Sequence, residues 1–222
     1  MSINFKHFSV FTKENPPKLL LTEINMELDV SKSYLIAGES GSGKTLFARS
    51  VAGLLSNQLK TTGLRMITDI SENKILYAPQ FGNLFFDENS SLDQTKNLFK
   101  SNSLSDSNDY EHLFLLYLEK TGLTELKAEM KIPVSSLSMG MKYRLMLVFL
   151  FLQKPDFLII DEPTASLDAV TSQQLIKLLF DYKNETKCGL LIVSHESHYF
   201  SKYEIELLEM ENGCLKKGNR IL

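Results

Sequence analysis

The first thirty residues alternate between apolar and polar positions, which is the pattern of strands that bury one face. Residues 3–11 carry the clearest alternation. After a turn at Asn15-Pro16-Pro17, residues 19–21 and 24–30 have the composition of two more short strands. We therefore predict an antiparallel β layer at the start of the chain.

The apolar stretches further along are short and continuous, as in parallel strands that are buried on both faces. Stretches with helical spacing of apolar residues lie between them. The predicted strands cover residues 61–66, 74–78, 157–160 and 189–193 as well as 34–37, and the predicted helices cover residues 46–54, 111–121, 138–153 and 171–184. A hairpin is predicted around the turn Asn212-Gly213. Strands that alternate with helices in this way predict an α/β fold.

The composition fits an ordinary globular chain and argues against several classes of protein. Of 222 residues, 43% are hydrophobic and 23% are charged, and the net charge of −3 gives no sign of a nucleic-acid partner. The most apolar run, residues 145–152, is too short to span a bilayer, and the N-terminus lacks the apolar core of a signal peptide. Cys188 and Cys214 lack metal-site spacing, so we expect buried or idle thiols in a reducing cytosol. If the protein works at a membrane, another chain must carry it there.

One motif predicts a phosphate site. Residues 38–45, Gly-Glu-Ser-Gly-Ser-Gly-Lys-Thr, match the phosphate-loop pattern at every fixed position and lie between a predicted strand and a predicted helix. The glycines let the backbone aim its N–H groups at a phosphate, and the helix N-terminus adds partial positive charge. We expect Lys44 to reach the β- and γ-phosphates and the Thr45 hydroxyl to bind Mg²⁺. The alternative, a chance match in a loop rich in Gly and Ser, is disfavoured by the strand and helix on either side.

Three other predicted strands end in polar residues that can serve a phosphate site. Asp161 and Glu162 follow one strand, where the first acid can hold Mg²⁺ through water and the second can polarise an attacking water. Gln80 and His195 follow two others. Because ligands of open α/β sheets bind at the carboxyl ends of the strands, we expect these side chains to face the phosphate loop. The alternatives are a solvated acidic turn for the two acids and a structural role for His195.

Taken in order, these motifs resemble those of the ATP-binding subunits of ABC transporters, and the resemblance covers nearly the whole chain. Residues 38–45 resemble the family's Walker A motif, and residues 157–162 resemble its Walker B motif. Residues 137–141, Leu-Ser-Met-Gly-Met, resemble the signature, and residues 163–168 resemble the D-loop. Several motifs in a fixed order are far more specific than any one of them.

Three single residues extend the resemblance. Gln80 stands at the place of the Q-loop glutamine and His195 at the place of the switch histidine. Phe11 is similar in placement to the aromatic residue that stacks on adenine, although a role in the apolar core is an open alternative.

The resemblance implies an ATP-hydrolysing enzyme with ATP and Mg²⁺ as its ligands. The implied catalytic residues are Glu162 as the base, His195 as a clamp on the γ-phosphate, Gln80 as a sensor of γ-phosphate and Mg²⁺, and Lys44. The implied metal ligands are Thr45, Gln80 and Asp161. The implied ATP-binding residues are Phe11, Gly38, Glu39, Ser40, Gly41, Ser42, Gly43, Lys44, Thr45, Leu46, Ser138, Gly140 and Asp168.

The resemblance also implies the fold and its division. We predict an α/β P-loop NTPase (RecA-like) core with an N-terminal antiparallel β layer and an inserted helical subdomain. The core covers residues 1–80 and 154–222, and the helical insertion covers residues 81–153, within a single ATP-binding domain. Phe85 and Phe86 of the insertion are predicted to help form a docking groove for a helix of a membrane subunit. Packing inside the insertion is the alternative.

Finer features point to the peptide and nickel importer branch, and two departures affect the detail. Residues 38–44, 141–146 and 168–171 are similar to that branch. Met139 stands where the signature usually has its first glycine, which implies one weakened ATP site and hence two different ATP-binding subunits. Residues 133–136 lack the acidic residue often found just before the signature, which leaves the contacts to the membrane subunit open.

The resemblance implies partners and a location. It implies a second ATP-binding subunit that closes face to face on two ATP molecules, transmembrane permease subunits, and an extracellular substrate-binding protein if the system imports. The chain would act at the cytoplasmic face of the cell membrane, bound through the permease, and without nucleic acid. Two alternatives stay open, namely the ATPase of an exporter for a bacteriocin or lipid, and a soluble ABC-type ATPase without a membrane partner.

Overall fold

The computed structural model describes residues 1–81, 86–87, 89–101, 107–165 and 167–218. Within them the strands are β1 (Ser2–Thr12), β2 (Leu19–Asp29), β3 (Ser33–Ala37), β4 (Leu59–Thr68), β5 (Ile75–Ala78), β6 (Phe157–Asp161), β7 (Gly189–Val193), β8 (Glu206–Glu211) and β9 (Cys214–Lys217). The helices are α1 (Lys44–Val51), α2 (Leu92–Ser101), α3 (Ser107–Lys120), α4 (Met139–Leu152) and α5 (Ala169–Thr186). The predicted α/β class is confirmed, and no helix among these residues is long and apolar enough to cross a bilayer.

The antiparallel layer has the strand order β2-β1-β4, and β1 pairs with both neighbours in the antiparallel sense. The prediction of two strands at residues 19–21 and 24–30 is wrong, because one strand, β2, runs through both. An irregularity in its pairing falls at this point, and Glu23 there has a positive φ of 41°. The strand predicted at residues 61–66 is part of a longer strand, β4 (Leu59–Thr68), which follows α1 and completes the layer.

The central sheet has the strand order β5-β6-β7-β3-β8-β9 and is parallel apart from the terminal hairpin of β8 and β9. The carboxyl ends of β3, β5, β6 and β7 therefore lie at one edge. Because β7 lies between β3 and β6, the residue that follows β7 is placed between the phosphate loop and the two acids. This order decides which side chains can share a site.

Both faces of the central sheet are buried, which explains why its strands are continuously apolar. On β3, Tyr34 and Ile36 join a core with the antiparallel layer and α1, whereas Leu35 joins a core with α3, α4 and α5. Strands β6 and β7 divide their side chains between the same two cores in alternation. The sheet is thus held rigidly from both sides beneath the edge that carries the polar residues.

A glycine lies just beyond each end of helix α1. Gly43, with φ of 111°, is its N-cap, so the helix starts at Lys44 rather than at the predicted residue 46. At the other end, Leu54 N donates to Arg49 O at 2.8 Å and Gly53 N donates to Ser50 O at 3.2 Å. This pair of hydrogen bonds ends a helix when the residue just after the C-cap has a positive φ, and Gly53 at that position has φ of 72°.

Helices α2, α3 and α4 lie between β5 and β6 in the chain, as the prediction of a helical insertion requires. Helix α2 was not predicted, and α3 begins at Ser107 rather than at residue 111. Residues 145–152 of α4 are at most 2% exposed, so this part of the helix is buried on all sides. These residues share one apolar cluster with β6 and β7, so the division of the chain at residues 81–153 stays a prediction.

Candidate active site

The phosphate loop is fixed from behind by the terminal hairpin. A Cβ atom on Gly38 would lie 2.2 Å from the backbone oxygen of Met210, so the close approach of these two segments requires glycine. Gly213, in the hairpin turn, donates its N–H to the Ser42 carbonyl at 2.9 Å, and its own carbonyl accepts from Thr22 N at 2.9 Å. The turn thus ties the loop to strand β2 of the antiparallel layer.

The front of the loop has the open space and the donors that an anion needs. A Cβ atom on Gly41 would meet no atom within 4 Å. The Lys44 ammonium donates to the carbonyls of Gly38 and Glu39, both at 2.8 Å, so it lies across the mouth of the loop. The Ser42 hydroxyl, in contrast, is buried and has no hydrogen-bond partner among the described residues. The loop fits a phosphate group on its open side.

A cleft of about 720 Å³ opens over the loop, and this volume suits a nucleotide. The cleft is lined by Leu20, Gly38, Glu39, Ser40, Gly41, Gly43, Lys44, Thr45, Leu46, Arg49, Gln80, Glu162 and His195. The structure therefore brings the loop, Gln80, Glu162 and His195 to one place, as the order of motifs predicts. A cleft of about 690 Å³ at the opposite edge of the sheet has none of these residues, so the cleft over the loop is the candidate for a nucleotide site.

The Asp161 carboxylate is held by two hydroxyl groups beneath this cleft. It is only 2% exposed, and Thr45 Oγ1 donates to its Oδ1 at 3.1 Å. The Tyr77 hydroxyl donates to Oδ2 at 2.7 Å. The Thr45 hydroxyl and the carboxylate offer oxygen donors side by side, which is the ligand chemistry that Mg²⁺ prefers. The residues present therefore fit the predicted metal site.

Tyr77 lies in a chain of polar contacts that sequence reasoning missed. Burial, and next the negative charge of Asp161, raise the pKa of the Tyr77 hydroxyl well above its ordinary value, so the group stays a proton donor. Arg49 Nε approaches the same hydroxyl at 3.5 Å from helix α1. A tyrosine in an apolar strand gives no signal of this contact, because it depends on β5 lying beside β6.

Glu162 and His195 meet across the cleft. His195 Nδ1 lies 2.9 Å from Glu162 Oε2, with the histidine side chain 61% exposed and that of Glu162 13% exposed. Glu162 has a positive φ of 47°, and its N–H donates to Val193 O at 2.9 Å. A positive φ is uncommon for a residue other than glycine, and such conformations cluster at functional sites. The turn directs Glu162 toward His195 instead of along the strand.

The comparison with known families is decisive at this point. The family model of the ABC transporter matches residues 21–165 of the 222-residue chain, which includes the phosphate loop and both acids. The chain belongs to the ABC transporter family. It is an ATP-binding subunit of that family and an ATP-hydrolysing enzyme.

The chain is similar over nearly its whole length to transport proteins. It is 27% identical over 234 residues to the metal-staphylopine import system ATP-binding protein CntD of Staphylococcus aureus (strain NCTC 8325 / PS 47), covering 98% of this chain and 86% of that protein. It is 26% identical over 231 residues to the energy-coupling factor transporter ATP-binding protein EcfA2 of Staphylococcus aureus (strain USA300), covering 97% and 78%.

Solved structures of ABC proteins share the fold. The structure of cbiO1 from Clostridium perfringens, described as part of the ABC transporter complex cbiONQ, superposes with a TM-score of 0.79 at 21% identity. The match covers 98% of this chain and 88% of that one. The predicted P-loop NTPase core with its antiparallel layer is thereby confirmed.

The segment predicted as the signature lies at the start of α4, and the segment predicted as the D-loop leads into α5. Ser138 is the N-cap of α4, and its hydroxyl accepts from Met141 N at 3.2 Å. Asp168 caps α5 by accepting from Val170 N and Thr171 N, both at 3.0 Å, and the bonds from Thr171 lower the pKa of its carboxyl. The described residues that line the cleft include neither of these two residues nor Gly140.

Two aromatic predictions have mixed outcomes. Phe11 is half-buried opposite Leu19 in the pairing of β1 with β2, and the described residues that line the cleft include Leu20 but not Phe11. Its stacking on adenine stays a prediction.

Phe85 lies outside the described residues, and so does Ser166 of the predicted D-loop. The Phe86 ring packs edge to face on Phe149, with centroids 5.9 Å apart, which favours the alternative of packing inside the helical region.

Proposed function

We propose that this ABC subunit hydrolyses ATP in the cleft above the phosphate loop and thereby drives a separate membrane permease. The observation that carries this proposal is the meeting of the phosphate loop, Gln80, Glu162 and His195 in one cleft. An adenine nucleotide bound there would have its γ-phosphate between a cation, a base and a histidine.

Glu162 is the proposed base. Its carboxylate accepts a proton from a water molecule whose oxygen bonds to the γ-phosphorus, while the bond from that phosphorus to the bridging oxygen breaks and ADP leaves. His195 holds Glu162 through Nδ1, at 2.9 Å. When the imidazole is protonated, both ring nitrogens donate, so Nε2 can bind the γ-phosphate at the same time.

Negative charge grows on the transferred phosphoryl group, and the loop is built to stabilise it. The Lys44 ammonium already lies across the loop mouth, where it donates to two carbonyls. Thr45, Gln80 and Asp161 would hold Mg²⁺, which supplies further positive charge to the phosphate oxygens when bound. The loop N–H groups complete the set of donors.

A second subunit is proposed to supply the signature and the D-loop. Ser138, Gly140 and Asp168 are absent from the described lining of their own cleft, so they are free to face the cleft of a partner. Met139 is 42% exposed at the start of α4, where glycine would allow the closest approach to a phosphate. We therefore propose a heterodimer in which the site completed by this signature is the slower one.

A groove beside α1 is a suitable docking site for an apolar helix of the permease. It has a volume of about 540 Å³, and Leu54 at its rim is 56% exposed. Leu76, Phe99 and Leu150 give it further apolar surface. Tyr77 lines the same groove and contacts Asp161, so a helix bound there would lie next to the ATP site.

The transported substrate is proposed from the relatives. CntD is named for metal-staphylopine import, and the sequence itself is similar to the peptide and nickel importer branch. We propose import of a metal complex or a peptide, with the subunit held at the cytoplasmic face of the membrane by its permease. An export system would use the same site.

Uptake in the organism that encodes the chain tests this proposal. The chromosomal copy is changed to Glu162→Gln, and uptake of chelated nickel or zinc and of labelled oligopeptides is measured against the wild type. The control is Glu185→Gln, an exposed acid that pairs with Lys120. We expect the Glu162→Gln variant to lose uptake of one substrate class and the Glu185→Gln control to keep it. Unchanged uptake of every class, together with retention of a compound inside the variant cells, would overturn the importer and favour export.

A further inference from the structure

We propose that Tyr77 is a positioning residue for the ATP site. Its hydroxyl fixes the orientation of the Asp161 carboxylate, and Arg49 links that hydroxyl to helix α1. The inference rests on the role proposed above for Asp161. Nothing in the family motifs includes Tyr77, since it precedes the Q-loop glutamine by three residues and belongs to the apolar strand β5.

The four side chains form a closed ring. Thr45 and Arg49 are one turn apart on α1, so they lie on the same face of that helix. Thr45 Oγ1 donates to one oxygen of Asp161 at 3.1 Å, and Tyr77 donates to the other at 2.7 Å. Arg49 Nε, 3.5 Å from the Tyr77 hydroxyl, closes the ring back to α1. Both carboxylate oxygens are thus held from different directions, which prevents rotation of the group.

The strand pairing explains how Tyr77 reaches this carboxylate. Tyr77 lies opposite Ile159 in the parallel pairing of β5 with β6, two residues before Asp161. A tyrosine is long enough to bring its hydroxyl forward to the strand end, where a shorter side chain would stop in the core. The sheet order β5-β6 is therefore required for the contact.

Removal of the hydroxyl has a specific consequence. Asp161 is almost fully buried, so the loss of the Tyr77 hydrogen bond leaves one oxygen of a buried carboxylate without its donor. Among the described residues, the carboxylate then keeps only the Thr45 hydrogen bond, and it gains freedom to rotate. Any group that needs a fixed Asp161 oxygen then binds less well, whereas the phosphate loop itself is unchanged.

The test uses Tyr77→Phe, which removes only the hydroxyl. The control is Tyr182→Phe, since the Tyr182 hydroxyl is also buried and donates to Phe151 O at 3.3 Å, away from the cleft. The readouts are kcat for ATP hydrolysis by the assembled subunits, Mn²⁺ binding by paramagnetic resonance with ADP present, ADP affinity in EDTA, and the melting temperature. Each variant is also made in an Asp161→Asn background.

We expect Tyr77→Phe to lower kcat and Mn²⁺ affinity by roughly five- to thirtyfold, as is typical for a lost bond to a buried charge, with ADP affinity in EDTA unchanged. In the Asp161→Asn background the same change should add less than about twofold, because coupled residues lose additivity. Tyr182→Phe should leave kcat, Mn²⁺ affinity and ADP affinity in EDTA unchanged.

Three results would overturn the inference: kcat and Mn²⁺ affinity within twofold of the wild type, an equal effect with and without Asp161, or a parallel loss of ADP affinity in EDTA. If Tyr77→Phe does not fold, Arg49→Met is used, for which a weaker effect in the same direction is expected and its absence is contradictory. Full activity of Asp161→Asn alone would overturn the proposed role of Asp161 instead.

Discussion

The change Glu162→Gln is the most informative single perturbation of the proposed hydrolysis. Gln keeps the length and shape of the side chain, and its carbonyl oxygen can still accept from His195 Nδ1, which lies 2.9 Å from Glu162 Oε2. What the variant loses is the basic carboxylate. The backbone conformation at this position, with φ of 47°, is equally available to both residues.

The size of the effect follows from the task of the group. A positioned general base contributes roughly 10²- to 10⁴-fold, or about 3 to 5.5 kcal/mol of barrier. ATP binding should be retained or strengthened, because one negative charge beside the γ-phosphate is removed while Lys44 is untouched. The variant should therefore accumulate an ATP-bound dimer that does not turn over.

Two assays separate these effects. Phosphate release gives the rate, and light scattering with MgATP detects the accumulated dimer, both with the second ATP-binding subunit present. Glu196→Gln is the matched control, because Glu196 follows His195 and accepts a hydrogen bond from Thr164 but does not line the cleft. Steady-state hydrolysis of Glu162→Gln near the wild-type rate would refute Glu162 as the base.

Three further predictions concern neighbouring positions. Met139→Gly should raise hydrolysis by about two- to tenfold in the reconstituted pair, or about 0.4 to 1.4 kcal/mol of barrier. The idea of a weakened site would be refuted if this rate is unchanged while Glu→Gln in the partner's Walker B motif abolishes hydrolysis. Tyr143→Phe should raise the free energy of unfolding in urea by about 1 kcal/mol, because the Tyr143 hydroxyl is buried without a partner among the described residues, and a decrease would contradict this. Gly38→Ala should weaken ATP binding at least about tenfold in calorimetry, since strain of the loop against Met210 is unavoidable, and wild-type affinity would show that the loop can move away.

The residues of the candidate site could be named from the sequence because their signals are local. A phosphate loop needs only the order of its residues and the strand and helix around it. The ends of β5, β6 and β7 could be placed together because parallel strands of one sheet share a carboxyl edge. Gln80, Glu162 and His195 were found in this way, and all three line the cleft.

Helix α2 escaped prediction because its stability comes from distant residues. Its sequence is largely polar, and only two of its apolar residues, Leu92 and Phe99, pack into the core. The backbone N–H groups of Leu92 and Asp93 donate to the carbonyls of Ile132 and Met130 at 2.9 and 2.8 Å. These bonds satisfy the start of the helix through a segment almost forty residues away. A local start signal was overlooked as well, since Ser91 N donates to Gln94 Oε1 at 2.8 Å and Gln94 N donates to Ser91 Oγ at 3.3 Å, which is a capping box.

Tyr77 escaped prediction for a related reason. Its place in the continuous apolar run of β5 marks it as part of a buried strand, and only the sheet order shows that Asp161 ends the neighbouring strand. In the same way, the break at Glu23 suggested two strands because a pairing irregularity and a turn give the same interruption of the apolar pattern. Long-range pairing, and not local preference, decides both cases.

The ATP affinity of Lys44→Ala tests the central claim most directly. Lys44 Nζ donates to two loop carbonyls at 2.8 Å, whereas Lys74 Nζ makes the same kind of contact to the carbonyls of Gln153 and Lys154 at 3.1 Å, away from the cleft. Calorimetric titration with MgATP should give a loss of at least about a hundredfold for Lys44→Ala, because the ion pair with the phosphates is lost, and no change for Lys74→Ala. Equal affinity of Lys44→Ala and the wild type would contradict the placement of ATP at this loop.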